Sequence, residues 1–120
     1  MGVISYGKSN EETWYVANWA YRRFLLDVMA ISESDEIWRF TLEQAAALGG
    51  LSLHLIDNDN PQLAGHLRAA IKDIAKSTLE GSSNNSRLQW MNGLDEHERA
   101  MYLDGIQSLV GVFEYSEGAG

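Results

Sequence analysis

The chain has no cysteine. That one absence excludes disulfides, thiolate zinc sites, iron–sulfur clusters and cysteine nucleophiles. Positive charge is scarce as well: nine Lys and Arg face seventeen Asp and Glu, for a net charge of −8. A field of that sign repels phosphate backbones, so no nucleic-acid partner is expected. No long apolar run is free of charge. The most apolar stretch, Thr13 to Ser32, carries Arg22, Arg23 and Asp27 near its middle. Each would cost about 2.5–3.5 kcal/mol at a bilayer centre, which defeats insertion. The stretch also lies behind Glu11 and Glu12 rather than a basic leader, and Tyr6 stands where a myristoylation motif needs Ser or Thr. With no membrane segment or export signal read from the residues, the expected location is cytoplasmic.

The usual catalytic signatures are missing too. Gly49-Gly50 lacks the residues of a phosphate cradle, and no serine stands in a G-x-S-x-G elbow. His97-Glu98 opens like a zinc helix, but Met101 occupies the place of the second histidine. Asp57-Asn58-Asp59-Asn60 begins like a calcium loop, but Gln62 and Arg68 stand where that loop needs glycine and glutamate. A loop followed by a helix cap accounts for those four residues. No metal and no cofactor is expected.

What is present is helical patterning. The 120 residues suit a single globular helical domain over 1–120, with residues 1–10 and 116–120 loosely ordered. Thr13 to Ser32 reads TWYVANWAYRRFLLDVMAIS, apolar almost all round a helix. Only Asn18, Arg22, Arg23 and Asp27 make a polar seam, spaced so that they share one side. This predicts a central helix wrapped by the others, and the aromatics crowded into Trp14–Phe40 are expected to supply most of the core.

A second helix is expected over Asp35–Leu48, capped by Ser34, with Trp38, Leu42, Ala45 and Ala46 inside and Gly49-Gly50 at its end. Residues 51–56 are too short for periodicity to choose strand or helix. Asn60-Pro61 is a strong start for a third helix to Leu79, with Leu63, Leu67, Ile71, Ile74, Ala75 and Thr78 on one face. A short helix over Arg87–Asn92 turns Leu88, Trp90 and Met91 inward. A last helix from Leu94 buries Tyr102, Leu103, Ile106, Leu109, Val110 and Phe113. Gly105 and Gly111 either let another backbone come close or end that helix early. In the second case Leu109–Tyr115 pairs with GVISY in a small two-stranded sheet joining the termini. The expected fold is therefore mainly all-α: a compact bundle of four to five helices around helix 13–32.

Two functional readings follow. In the first, the chain is a small acidic, non-catalytic protein that neutralises or scaffolds a basic protein partner. Its binding residues are the carboxylates flanking the second helix (Glu33, Asp35, Glu36, Glu43) and the last (Asp95, Glu96, Glu98, Asp104). These make one negative face if the two helices are neighbours. Bacterial immunity proteins, which inhibit toxins by matching their charge, are the analogy from size and charge alone. In the second, a small enzyme or ligand-binding domain uses Arg22, Arg23, Asp27 and His54 in an aromatic-lined pocket. The basic stripe Arg68, Lys72, Lys76 is read as a solvated face. Oligomeric state does not follow from these patterns.

Overall fold

Residues 2–7, 9–30, 36–80 and 86–119 are described by a computed structural model, in which the side chains at 10, 86–89 and 117–119 are not defined. The protein is mainly helical, and the described residues form five α-helices and a small mixed sheet of three strands. The order is β1 (Gly2–Ser5), a 3-10 turn (Asn10–Glu12), β2 (Thr13–Val16), α1 (Asn18–Ala30), α2 (Glu36–Leu48), β3 (Gly50–Ser52), α3 (Leu53–Asp59), α4 (Pro61–Glu80), a 3-10 segment (Ser86–Gly93) and α5 (Glu96–Ala119). Among the described residues, no helix is long and apolar enough to cross a membrane.

The stretch expected to be one central helix is divided. Thr13-Trp14-Tyr15-Val16 is a run of β-branched and aromatic residues, and it forms a strand antiparallel to β1, pairing Ile4 with Trp14 and Ser5 with Thr13. Alternation replaces helical periodicity there: Trp14 is buried and Tyr15 is exposed. The helix begins only at Asn18. It buries Ala20, Tyr21, Phe24, Leu25, Asp27 and Val28 against α2, β1 and α4, but leaves Leu26 and part of Trp19 exposed. It is a half-covered helix, not a sheathed one.

The sheet also differs from expectation. It does not join the termini; its order is β2-β1-β3, and β1 pairs with β3 in parallel, Ile4 beside Leu51. Residues 2–5, whose Val3 and Ile4 suit a short strand although 1–10 as a whole is expected to be loosely ordered, form the middle strand. Residues 109–115 belong to α5, because Leu109, Val110 and Phe113 stay on the buried stripe begun by Tyr102 and Ile106. Burying a side chain of that kind contributes about 1.5–3 kcal/mol, more than the ~1 kcal/mol a helical glycine costs. Gly105 serves the close approach: its carbonyl accepts the Trp14 indole N–H at 2.8 Å, and an added Cβ would lie 3.1 Å from Val16 Cγ2. β2 is thereby held on α5.

Residues 51–56 resolve into both alternatives, strand to Ser52 and helix from Leu53. The helix runs on through Asp57, Asn58 and Asp59, which were expected to form a loop. Leu53 is fully buried and Ile56 packs on the core, so tertiary burial holds a segment of poor helix formers helical. The break comes at Asn60, whose Oδ1 accepts the Leu63 N–H at 3.1 Å and caps α4 ahead of Pro61. At the end of α2, Gly49 takes a positive φ of 80° and passes the chain directly into β3. Ser34 and Asp35, the expected start of the second helix, lie outside the described residues.

The core draws on the whole chain rather than mainly on its first third. Ile4, Trp14, Tyr21, Phe24 and Leu25 are joined in it by Leu42, Leu53, Leu67, Ile71, Tyr102, Ile106 and Phe113, all essentially solvent-free. Of the early aromatics, Tyr15, Trp19 and Phe40 remain exposed.

Candidate functional site

The polar seam of α1 is uneven. Asn18 and Arg22 are exposed, Arg23 is half-buried and Asp27 is 1% exposed. A carboxylate that deep needs a compensating charge. Arg23 supplies it from one turn earlier, Nη2 to Oδ1 at 3.2 Å. The guanidinium carbon also lies 4.5 Å from the centre of the Trp90 ring, a cation–π distance. Trp90 meets Tyr102 edge-on at 5.0 Å, and Tyr102 stacks with Trp19 at 6.0 Å. The cluster thus ties the Ser86–Gly93 segment and α5 to α1. Of the four residues of the expected pocket, Arg23 and Asp27 are brought together. Arg22 sits on the solvent side of α1. His54 lies on α3, its Nδ1 3.1 Å from Ser52 Oγ.

The expected acidic residues that are described lie on or next to two helices. Glu36 and Glu43 are exposed on α2; Asp95, Glu96, Glu98 and Asp104 are exposed on or next to α5. Glu33 and Asp35 lie outside the described residues. α2 packs mainly on α1 and β3, while α5 packs mainly on α4, β2 and the first 3-10 turn. Asp95 and Glu98 have a local task. Asp95 Oδ1 accepts the Glu98 N–H at 2.7 Å and Glu98 Oε1 accepts the Asp95 N–H at 3.2 Å, a reciprocal cap on α5. The basic stripe of α4 is partly drawn into packing. Arg68 donates to the Tyr6 carbonyl at 3.3 Å and lies 3.7 Å from Asp57, and Lys72 Nζ sits 5.8 Å from the Phe113 ring centre.

A third feature went unread in the sequence. α2 buries Trp38, Leu42 and Ala45, but Ile37, Phe40 and Leu48 are 63%, 60% and 82% exposed. Phe40 and Leu48 border a groove between α2, β3 and α3, and Ile37 faces the start of α4. One cavity of about 260 Å³ is lined by Phe40, Gln44, Leu48, Leu51 and Leu55 among others. Another of about 200 Å³ lies between Ile37 and the start of α4, at Leu63 and His66. The signal was available: Ile37, Phe40 and Leu48 fall off the face defined by Trp38, Leu42 and Ala45. Treating α2 as having one apolar side hid them.

Among the described residues, no group of three or more His, Asp or Glu is placed to hold a metal ion. Comparison with protein-family models, with curated proteins and with solved structures finds no match to this chain.

Proposed function

We propose that this chain is a non-catalytic binding protein whose partner is a basic protein, which it neutralises or scaffolds in the cytoplasm in the manner of an immunity-type inhibitor of a bacterial toxin. The observation that carries this reading is the state of its carboxylates. Glu36, Glu43, Glu96 and Asp104 are exposed, and among the described residues none is in an ion pair, in a chain of net charge −8. Unneutralised charge of one sign steers an oppositely charged protein to the surface and repels nucleic acid. We assign Arg23 and Asp27 to structure rather than chemistry, since the pair and its aromatic neighbours join three segments of the chain.

The test is affinity capture from the cell of origin with wild type and with a quadruple variant, Glu36→Lys, Glu43→Lys, Glu96→Lys and Asp104→Lys. Asp95 and Glu98 are left in place because they cap α5. Wild type should hold a basic protein at low ionic strength and release it by about 0.3 M salt, where screening shortens the reach of charge to well under 10 Å. The variant should hold none. Capture indifferent to both salt and the four substitutions would refute the reading.

A further inference from the structure

Besides the face that packs on α1 and β3, α2 carries a second stripe with large apolar residues. Trp38, Leu42 and Ala45 face the core. Ile37, Phe40, Thr41, Gln44 and Leu48 recur at intervals of three or four, with Phe40 and Thr41 adjacent, and make a second stripe roughly a quarter-turn away. The stripe runs beside both cavities, and Leu55 of α3, 57% exposed, faces the same groove. From Ile37 to Leu48 it extends about 16 Å, three turns of helix.

The charges around the groove are mostly of one sign. Glu36 and Glu43 stand four before and three after Phe40, and Asp59 stands four after Leu55; all three are exposed. Asp57, on the same short helix, is shared with Arg68. Arg39 is the one cation in α2, and α3 has none beyond His54. An occupant carrying Lys or Arg beside its apolar anchors matches that rim. A second copy of the chain does not, because it would set one charge of −8 against another. Nor does an added strand: the open edge of β3 is three residues long and Ser52 already leads into α3, too little ladder to template pairing.

We propose that the α2–β3–α3 groove receives a basic amphipathic helix of the partner. Its large apolar residues, three, four or seven apart, enter the depression lined by Phe40, Leu48 and Leu55, and its flanking Lys and Arg meet Glu36, Glu43 and Asp59. This rests on the reading of the chain as a binder of a basic protein, and it replaces the α5 carboxylates with the α2 groove as the point of contact.

The probes are two synthetic Leu/Lys/Ala peptides of about 18 residues, long enough to hold a helix on a surface. They share composition and charge, but one gathers its leucines on a single stripe and the other scatters them. Fluorescence anisotropy at low salt should find the striped peptide bound at least about tenfold more tightly. Phe40→Ser with Leu55→Ser, both surface positions, should erase that preference with the melting temperature held. Gln44→Trp, which fills the groove from its solvent side, should do the same without removing any apolar group. Glu36→Lys with Glu43→Lys should weaken both peptides.

Equal binding of the two peptides, weakened by charge reversal, would overturn the groove and leave the acidic-surface reading standing. A preference unmoved by the Phe40 and Leu55 changes and by Gln44→Trp would likewise overturn the groove alone. Salt-sensitive binding of neither peptide would overturn both. A concentration-dependent dimer in sedimentation, abolished by Phe40→Ser with Leu55→Ser, would give the groove to a second copy and overturn the proposal.

Discussion

Tyr21 is fully buried, and its hydroxyl donates to the Ala45 carbonyl at 2.5 Å, tying α1 to the last turn of α2. Burial raises its phenol from 10.0 to about 12. The neutral form is the one the fold favours. This contribution to stability is therefore whole below pH 10 and is lost as pH climbs from there through about 12. In an ultraviolet phenolate titration Tyr21 should ionise above pH 10, towards about 12, and in step with unfolding. Tyr21→Phe should cost about 1 kcal/mol at neutral pH and flatten the alkaline loss of stability. A Tyr21 that titrates at the ordinary value of 10.0 would contradict its burial. At this scale the sequence was partly legible. Arg23 and Asp27, one helical turn apart, can be read as a pair from spacing alone. That Trp90 covers the pair cannot, because no local rule relates residues so distant in the chain.

Elements were legible where their end signals were local. Asn60-Pro61 starts α4, Gly49 ends α2, and the stripes of α4 and α5 are buried much as their periodicity requires. The error at Thr13–Val16 has a physical source: three large apolar residues in a row after a threonine satisfy helix and strand alike, and only a partner strand decides. β1 is that partner, with Gly2 seated so closely on the Tyr21 ring that a Cβ there would overlap it. Residues 57–59 erred the other way, local propensity losing to burial of Leu53 and Ile56.

The helical glycines offer a graded test of element packing. An added Cβ at Gly65 or Gly111 meets nothing within 4 Å, so each change to Ala should raise stability by about 0.5–1 kcal/mol, a few degrees in melting temperature. Gly105→Ala gains the same helix propensity but crowds Val16 at 3.1 Å, and should come out below both in thermal melts. If it proved the most stabilising of the three, α5 and β2 would not be in the contact described.

On the scale of the molecule, 120 residues with a radius of gyration of 13.8 Å carry a net charge of −8. Repulsion among carboxylates confined to that size opposes folding and is screened by salt. Raising ionic strength from about 10 mM to about 150 mM shrinks the screening length from ~30 Å to ~8 Å, so the melting temperature should rise over that range. A flat or falling curve would mean that the carboxylates are too widely separated to repel. Composition and periodicity determined by themselves the sign of the electrostatic field, the absence of thiol chemistry, the predominance of helix and the inner faces of α4 and α5. These depend only on residue counts and on spacings shorter than two helical turns. Tertiary structure decided the strand at Thr13–Val16, the parallel pairing of β1 with β3, the cluster around Arg23 and Asp27, and the second apolar face of α2. Each of these depends on which distant segment arrives alongside, and the chain's local physics leaves that open until the core closes.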